Sequence, residues 1–252
     1  MFMINLHSSR SLTCTFQAFF LCFCTFYAHF HNKETSFVYQ GKRGFLLYRG
    51  GRIKYNHLSK WEFMEAKMNI YCVWEHNGND SILYANNFVG AFTRGASKKE
   101  AVLKMPEEIR RFQLWRGETP FDDYDIEIVQ EKESELQIRD ADSDVLFTTE
   151  DRPLTAEEYR YLKSLALKSA EDFYVLYNSF PDKHKSALPY RKTFYGSVPR
   201  TAEEMYQHTK NVNENYFSEV GADADNEGTI VSCRARGFEA LESIPGYYHL
   251  KL

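Results

Sequence analysis

The chain of 252 residues is long enough for one or two domains with hydrophobic cores of their own. Its formal net charge of -4 gives no basic surface of the kind that binds nucleic acid, so no nucleic-acid partner is expected. The five cysteines show neither a paired metal-ligand spacing nor an even count. This usage predicts a reducing compartment, the cytoplasm, and argues against a disulfide framework or a zinc finger.

Residues 1–67 differ in character from the rest of the chain. Residues 13–30 are apolar enough to suggest a signal peptide or a membrane span, but no small-residue cleavage site follows them, and they fall short of about 20 clean apolar residues. A third explanation concerns the gene, because the codons for residues 64–66 can contain a ribosome-binding sequence shortly before the codon of Met68. We therefore predict that translation starts at Met68 and that residues 1–67 are a misassigned upstream or disordered segment. On this hypothesis no membrane partner is expected.

Residues 68–130 follow a β-β-β-α-β order. Alternation of apolar residues over 70–74 predicts a half-buried strand, and the Asn-Gly pair at 77–78 predicts a hairpin turn. Two further extended segments are predicted over 81–87 and 88–94.

A helix is predicted next, beginning at a capping box formed by Ser97 and Glu100, and Pro106 is expected to kink or restart it. Strong alternation over 124–129 predicts the last strand of this unit. Residues 131–150 are predicted to be a charged linker, with an edge strand over 145–147.

The order of these elements resembles the HicB-like antitoxin domain. The resemblance covers about 68–130 and depends on the helix entry formed by Gly95, Ser97, Glu100 and Ala101. It implies a small sheet with one helix packed across it, in a family whose members mask a small RNase. No helix-turn-helix or basic arm follows, so the alternative is a small α+β module that packs against its neighbour.

The second half of the sequence is helical. Capping boxes of the form T-x-x-E predict helix starts at Thr155 and Thr201; the first helix should end before Pro181, and the second should run as one helix to Gly221. A third amphipathic helix is expected to stop near Pro245. Three such helices predict an antiparallel bundle without its fourth member.

One histidine lies on the buried stripe of the second of these helices. Met205, Val212, Tyr216 and Val220 recur at helical spacing, and His208 shares their face. Such a histidine is either a hydrogen-bonded core residue or a metal ligand, and spacing alone favours the core residue.

Residues 150–245 resemble the DinB-like (YfiT-like) four-helix-bundle family, through the stretch from Lys192 to Gly221 and the RARGFEALES segment. The resemblance implies a bacterial, damage-inducible family of transferases or hydrolases that use a divalent metal, zinc or nickel. Three histidines hold that metal in the family, and His208 lies where the first belongs. The H-x-x-x-H pair that would supply the others is missing before Leu252. Residues 151–252 are therefore predicted to be a C-terminally truncated DinB-like bundle.

Two functions from different classes remain open. The first is a DinB-like metal-dependent enzyme of which this copy is inactive or incomplete; the second is a non-catalytic HicB-like and helical interaction module. A missing fourth helix would expose apolar faces, so a homodimer that completes the bundle is a predicted partner. Among the other polar residues, His184 and Arg234 are expected on solvated surfaces, and Cys72 and Cys233 are expected to be structural.

Overall fold

The structure, a computed structural model, describes residues 67–140, 143, 145–186, 188–193 and 196–247. The predictions made for residues 1–66 lie outside this part. The described chain is an α+β protein in which a four-stranded mixed sheet precedes a group of helices. No helix in these described ranges is long and apolar enough to cross a membrane.

The sheet has the order β3-β2-β1-β4, in which β1 pairs antiparallel with β2 and parallel with β4. Helix α1 connects β3 to β4 and packs across one face of the sheet. The predicted order of elements is confirmed, although the third strand is shorter than residues 88–94 because residues 86–90 form turns. The elements of this half are β1 (Met68–Asn77), β2 (Asp80–Ala85), β3 (Phe92–Gly95), α1 (Lys98–Arg116) and β4 (Tyr124–Glu133).

The prediction of a half-buried strand is confirmed for the first half of β1, where Asn69 and Tyr71 are exposed, but the second half of the strand is buried on both faces. Ile70 and Cys72 belong to the core beneath α1, as predicted. Val73 points to the opposite face and is nevertheless only 1 % exposed. Its burial means that another part of the chain covers this second face.

The cover comes from residues 134–140, 143 and 145–150, which we call the cover segment. It was predicted to be a linker with an edge strand over 145–147, but no strand forms there, and two short 3-10 turns form at Ile138–Asp140 and Thr148–Glu150. Ile138, Val145 and Phe147 instead pack on Val73, Ile82 and Tyr84. The side chain of Gln130 explains the missing strand, because its amide donates to the Leu146 carbonyl (2.8 Å) and its oxygen accepts from the Thr148 N–H (2.9 Å).

Helix α1 begins as predicted and runs as one helix through Pro106 to Arg116. The Ser97 hydroxyl accepts the N–H of Glu100, whereas the Glu100 carboxylate accepts the N–H of Ala96, so only one half of the capping box forms as expected. Pro106 lies inside a single helix, so the helix does not restart there. Its apolar face, including Met105 and Ile109, forms the core against the sheet.

The helical half contains capping boxes at Thr155 and Thr201, both as predicted. The helix predicted to run to Gly221 is broken at Val212, whose backbone has φ -81° and ψ -4°. Gly221 has φ +76°, and the N–H groups of Gly221 and Ala222 bond back to Ser218 and Phe217, which is the Schellman ending. The elements of this half are α2 (Ala156–Ser179), β5 (Lys192–Thr193), β6 (Gly196–Ser197), α3 (Ala202–Asn211), α4 (Asn213–Ser218) and α5 (Ile230–Glu242).

The two halves are joined by direct side-chain contacts between α1 and α2. Leu165 packs into the core of the sheet half, and the Trp115 indole donates to Asp172 at 2.7 Å. Arg116 lies over the ring of Tyr161 at 5.0 Å. The broad uncovered apolar face expected for a three-helix remnant is not found in the described residues of α2 to α5, where Tyr161 and Val175 are the exposed large apolar side chains.

Candidate functional site

His208, the predicted metal ligand, is half-buried on α3 beside the buried stripe. Met205, Val212, Tyr216 and Val220 on that stripe are all buried, as predicted. Burial lowers the pKa of His208 to about 4, because the apolar surroundings disfavour the charged imidazolium. The imidazole is therefore neutral at pH 7, which is the form found both in cores and at metal sites.

The metal centre implied by the DinB-like resemblance would need further ligands beside His208. A stable zinc site needs three or four ligands. Within the described ranges, no group of three or more His, Cys, Asp or Glu side chains could hold a metal ion. His184 is exposed in the connection before α3, as predicted, and does not complete a site.

Cys72 and Cys233 are both buried, which confirms their structural assignment. Burial raises the pKa of the Cys72 thiol to about 12, and it also raises the pKa of Cys233. Both side chains are therefore protonated thiols at neutral pH. Because the thiolate is the nucleophile, neither cysteine is suited to covalent catalysis in this fold.

The predicted solvent exposure of Arg234 is wrong. It was expected on a solvated face but is 2 % exposed. Its Nε donates to the Asn213 side-chain oxygen at 3.1 Å, and the Asn213 amide donates to the carbonyls of Cys233 (3.2 Å) and Asp225 (2.9 Å). This buried network ties α4, α5 and the acidic loop at residues 223–228 together, so Arg234 is structural. The adjacent Arg236 holds the same loop from outside by pairing with the Asp225 carboxylate.

A second buried polar cluster lies beneath the cover segment. Glu75 on β1 is 0 % exposed, and its Oε2 accepts from the Ser143 hydroxyl at 2.6 Å. The Tyr84 hydroxyl lies 3.4 Å from the same oxygen, and burial raises the pKa of Tyr84 above its usual range. The three groups fasten the cover segment to the sheet. They are enclosed, so the arrangement is better suited to stabilising the fold than to turning over a substrate.

The exposed edge of the sheet is the most strongly charged feature of the described strands. Strand β4 carries Asp125, Glu127, Glu131 and Glu133, and all four are exposed. Alternation along 124–129 predicted the strand, but the sequence pattern did not show that it would lie at the edge.

Comparison of the chain with protein-family models, with curated proteins and with solved structures gives no match. The HicB-like and DinB-like resemblances therefore stay predictions. The geometry of the described residues has to support any functional proposal.

Proposed function

We propose that this chain acts by protein contact, as a HicB-like α+β module joined to a DinB-like helical unit, and that it does not hold a metal at His208. The observation that carries the proposal is the setting of His208, a half-buried side chain on α3 that does not belong to any three-ligand group of the described residues. A cytoplasmic location belongs to the same proposal.

The other potentially reactive side chains support this proposal because their contacts stabilise the fold. Cys72 and Cys233 are buried thiols, the Asn213–Arg234 pair joins helices, and Glu75 holds the cover segment. None of these groups is both exposed and activated, which is what a nucleophile or general base requires.

A metal-dependent transferase or hydrolase is the second candidate, and one observation favours it. The lowered pKa of His208 leaves the imidazole neutral at pH 7, so this side chain can ligate a metal without first losing a proton. The remaining ligands would then come from a second copy of the chain, in the predicted homodimer, or from residues outside the described part.

Elemental analysis of the purified full chain tests the proposal. Wild type should be compared with His208→Ala and with the matched control His184→Ala, whose side chain is exposed. We expect no stoichiometric zinc or nickel in any of the three proteins. Near-stoichiometric metal in wild type and His184→Ala that His208→Ala loses would overturn the proposal in favour of the enzyme.

A further inference from the structure

Strand β4 lies at one edge of the four-stranded sheet. The strand has ten residues and pairs on one side with β1, and the sheet order places it at the end. No strand within the described ranges pairs with its other side. Such an edge presents a row of N–H and C=O groups about 33 Å long, to which a further strand can bind.

Acidic side chains flank this edge on both faces of the sheet. Asp125 and Glu127 pair in register with Asn69 and Tyr71, which alternate with the core residues beneath α1 and therefore point to the opposite face. A register shift between Cys72 and Val73 reverses the alternation.

After that shift the acidic residues lie on the other face. Glu131 pairs in register with Trp74 and contacts Lys98 of α1 at 2.5 Å, so it lies on the α1 side, and Glu133 shares that side. A strand bound to this edge would consequently meet carboxylates on both of its faces.

We propose that the β4 edge binds an extended, basic segment of a partner protein as a fifth strand. The proposal deepens the proposed function of protein contact, on which it rests. Backbone hydrogen bonds would supply affinity, and Lys or Arg residues at every second position would point to one face of the sheet, where they face Asp125 and Glu127. The same charges oppose pairing of two β4 edges from two copies, because like charges directly opposite each other destabilise a sheet.

A fluorescence-anisotropy titration with synthetic decapeptides tests strand addition. The probe is a labelled peptide of alternating Lys and Thr, and its charge control carries Glu in place of Lys. Two further probes have the same sequence. One is N-methylated at the backbone amide of every Lys residue, and the other at the backbone amide of every Thr residue. Because alternate N–H groups of a strand point to opposite sides, only one methylated probe should lose binding, by about tenfold or more, and the Glu peptide should not bind.

Matched charge variants locate the binding surface. Asp125→Lys combined with Glu127→Lys should weaken binding of the Lys-Thr probe by about tenfold or more. Glu171→Lys combined with Glu239→Lys makes the same change in net charge at exposed positions of α2 and α5, and it should leave binding nearly unchanged.

Two results would overturn this inference. Equal binding of both methylated probes, or equal weakening by both pairs of variants, would show attraction to net charge alone. Failure of the unmodified probe to bind would also overturn it. None of these outcomes changes the metal content of the protein, so the elemental analysis tests the proposed function separately.

Discussion

The substitution Gly237→Ala tests how tightly α5 packs on α4. Gly237 lies in the interior of α5, where alanine is normally the better helix former by about 1 kcal/mol. A Cβ atom at this position would, however, lie 2.1 Å and 2.4 Å from two carbon atoms of the Phe217 ring. The ring must therefore move if the side chain is added.

The cost of moving Phe217 should exceed the gain in helix propensity. Phe217 is 1 % exposed, and its ring meets Phe238 edge-on with centroids 5.1 Å apart, so it has little room. Adding atoms to a well-packed core costs about 1–3 kcal/mol or more when the surroundings are rigid. The 2.1 Å approach places this cost at about 2–3 kcal/mol, so after the gain of about 1 kcal/mol in helix propensity we expect a net loss of about 1–2 kcal/mol, or a melting temperature lower by roughly 2–8 °C.

Thermal and urea unfolding of wild type and Gly237→Ala measure the effect. Phe217→Leu supplies the matched control, because a smaller side chain leaves space for the new methyl group. The double variant should lose less stability than the sum of the two single changes, as expected for residues in contact. A higher melting temperature for Gly237→Ala, or strict additivity in the double variant, would refute the packing described for α4 and α5.

Three further predictions follow from polar contacts. Asn213→Ala should lower the free energy of unfolding, measured in urea, by about 2–3 kcal/mol because the buried Arg234 loses an acceptor. A loss below about 0.5 kcal/mol would contradict the hydrogen-bond network of Asn213 and Arg234. Gln130→Ala should speed hydrogen exchange over residues 145–150 by the equivalent of about 1–2 kcal/mol, whereas unchanged exchange would show that apolar contacts alone hold the cover segment. Arg152 and the Thr155 N–H lower the pKa of Glu158 from 4.5 to about 2, so this carboxylate stabilises the fold above pH 4.5 and the effect is lost as the pH falls towards 2. Glu158→Gln should therefore flatten acid unfolding in that window, and identical curves would refute this assignment.

Local signals predicted the ends of helices well. The capping boxes at Thr155 and Thr201 and the ending at Gly221 depend on residues within five positions of one another, and all three form. The break at Val212 was not predicted, because the apolar stripe continues through it. The helix restarts at Asn213, whose side chain bonds to the carbonyls of Asp225 and Cys233, and those partners are distant in sequence.

Long-range burial could not be predicted from periodicity alone. Arg234 has a charged side chain on an amphipathic helix, and the pattern indicates solvent exposure unless its partner 21 residues earlier is known. Val73 was assigned to an open face because the charged residues after 130 gave no sign that Val145 and Phe147 would fold back over it. The spacing that singled out His208 is likewise local, whereas a metal site depends on ligands from several elements.

Thermal unfolding with added metal tests the account most directly. Wild type and His208→Ala are compared in a chelator, in excess zinc and in excess nickel. We expect that neither metal raises the melting temperature of wild type relative to His208→Ala. A metal that binds the native state at 100 times its dissociation constant stabilises it by about 2.7 kcal/mol. A rise of that size in wild type, absent from His208→Ala, would contradict the account and establish a metal site at His208.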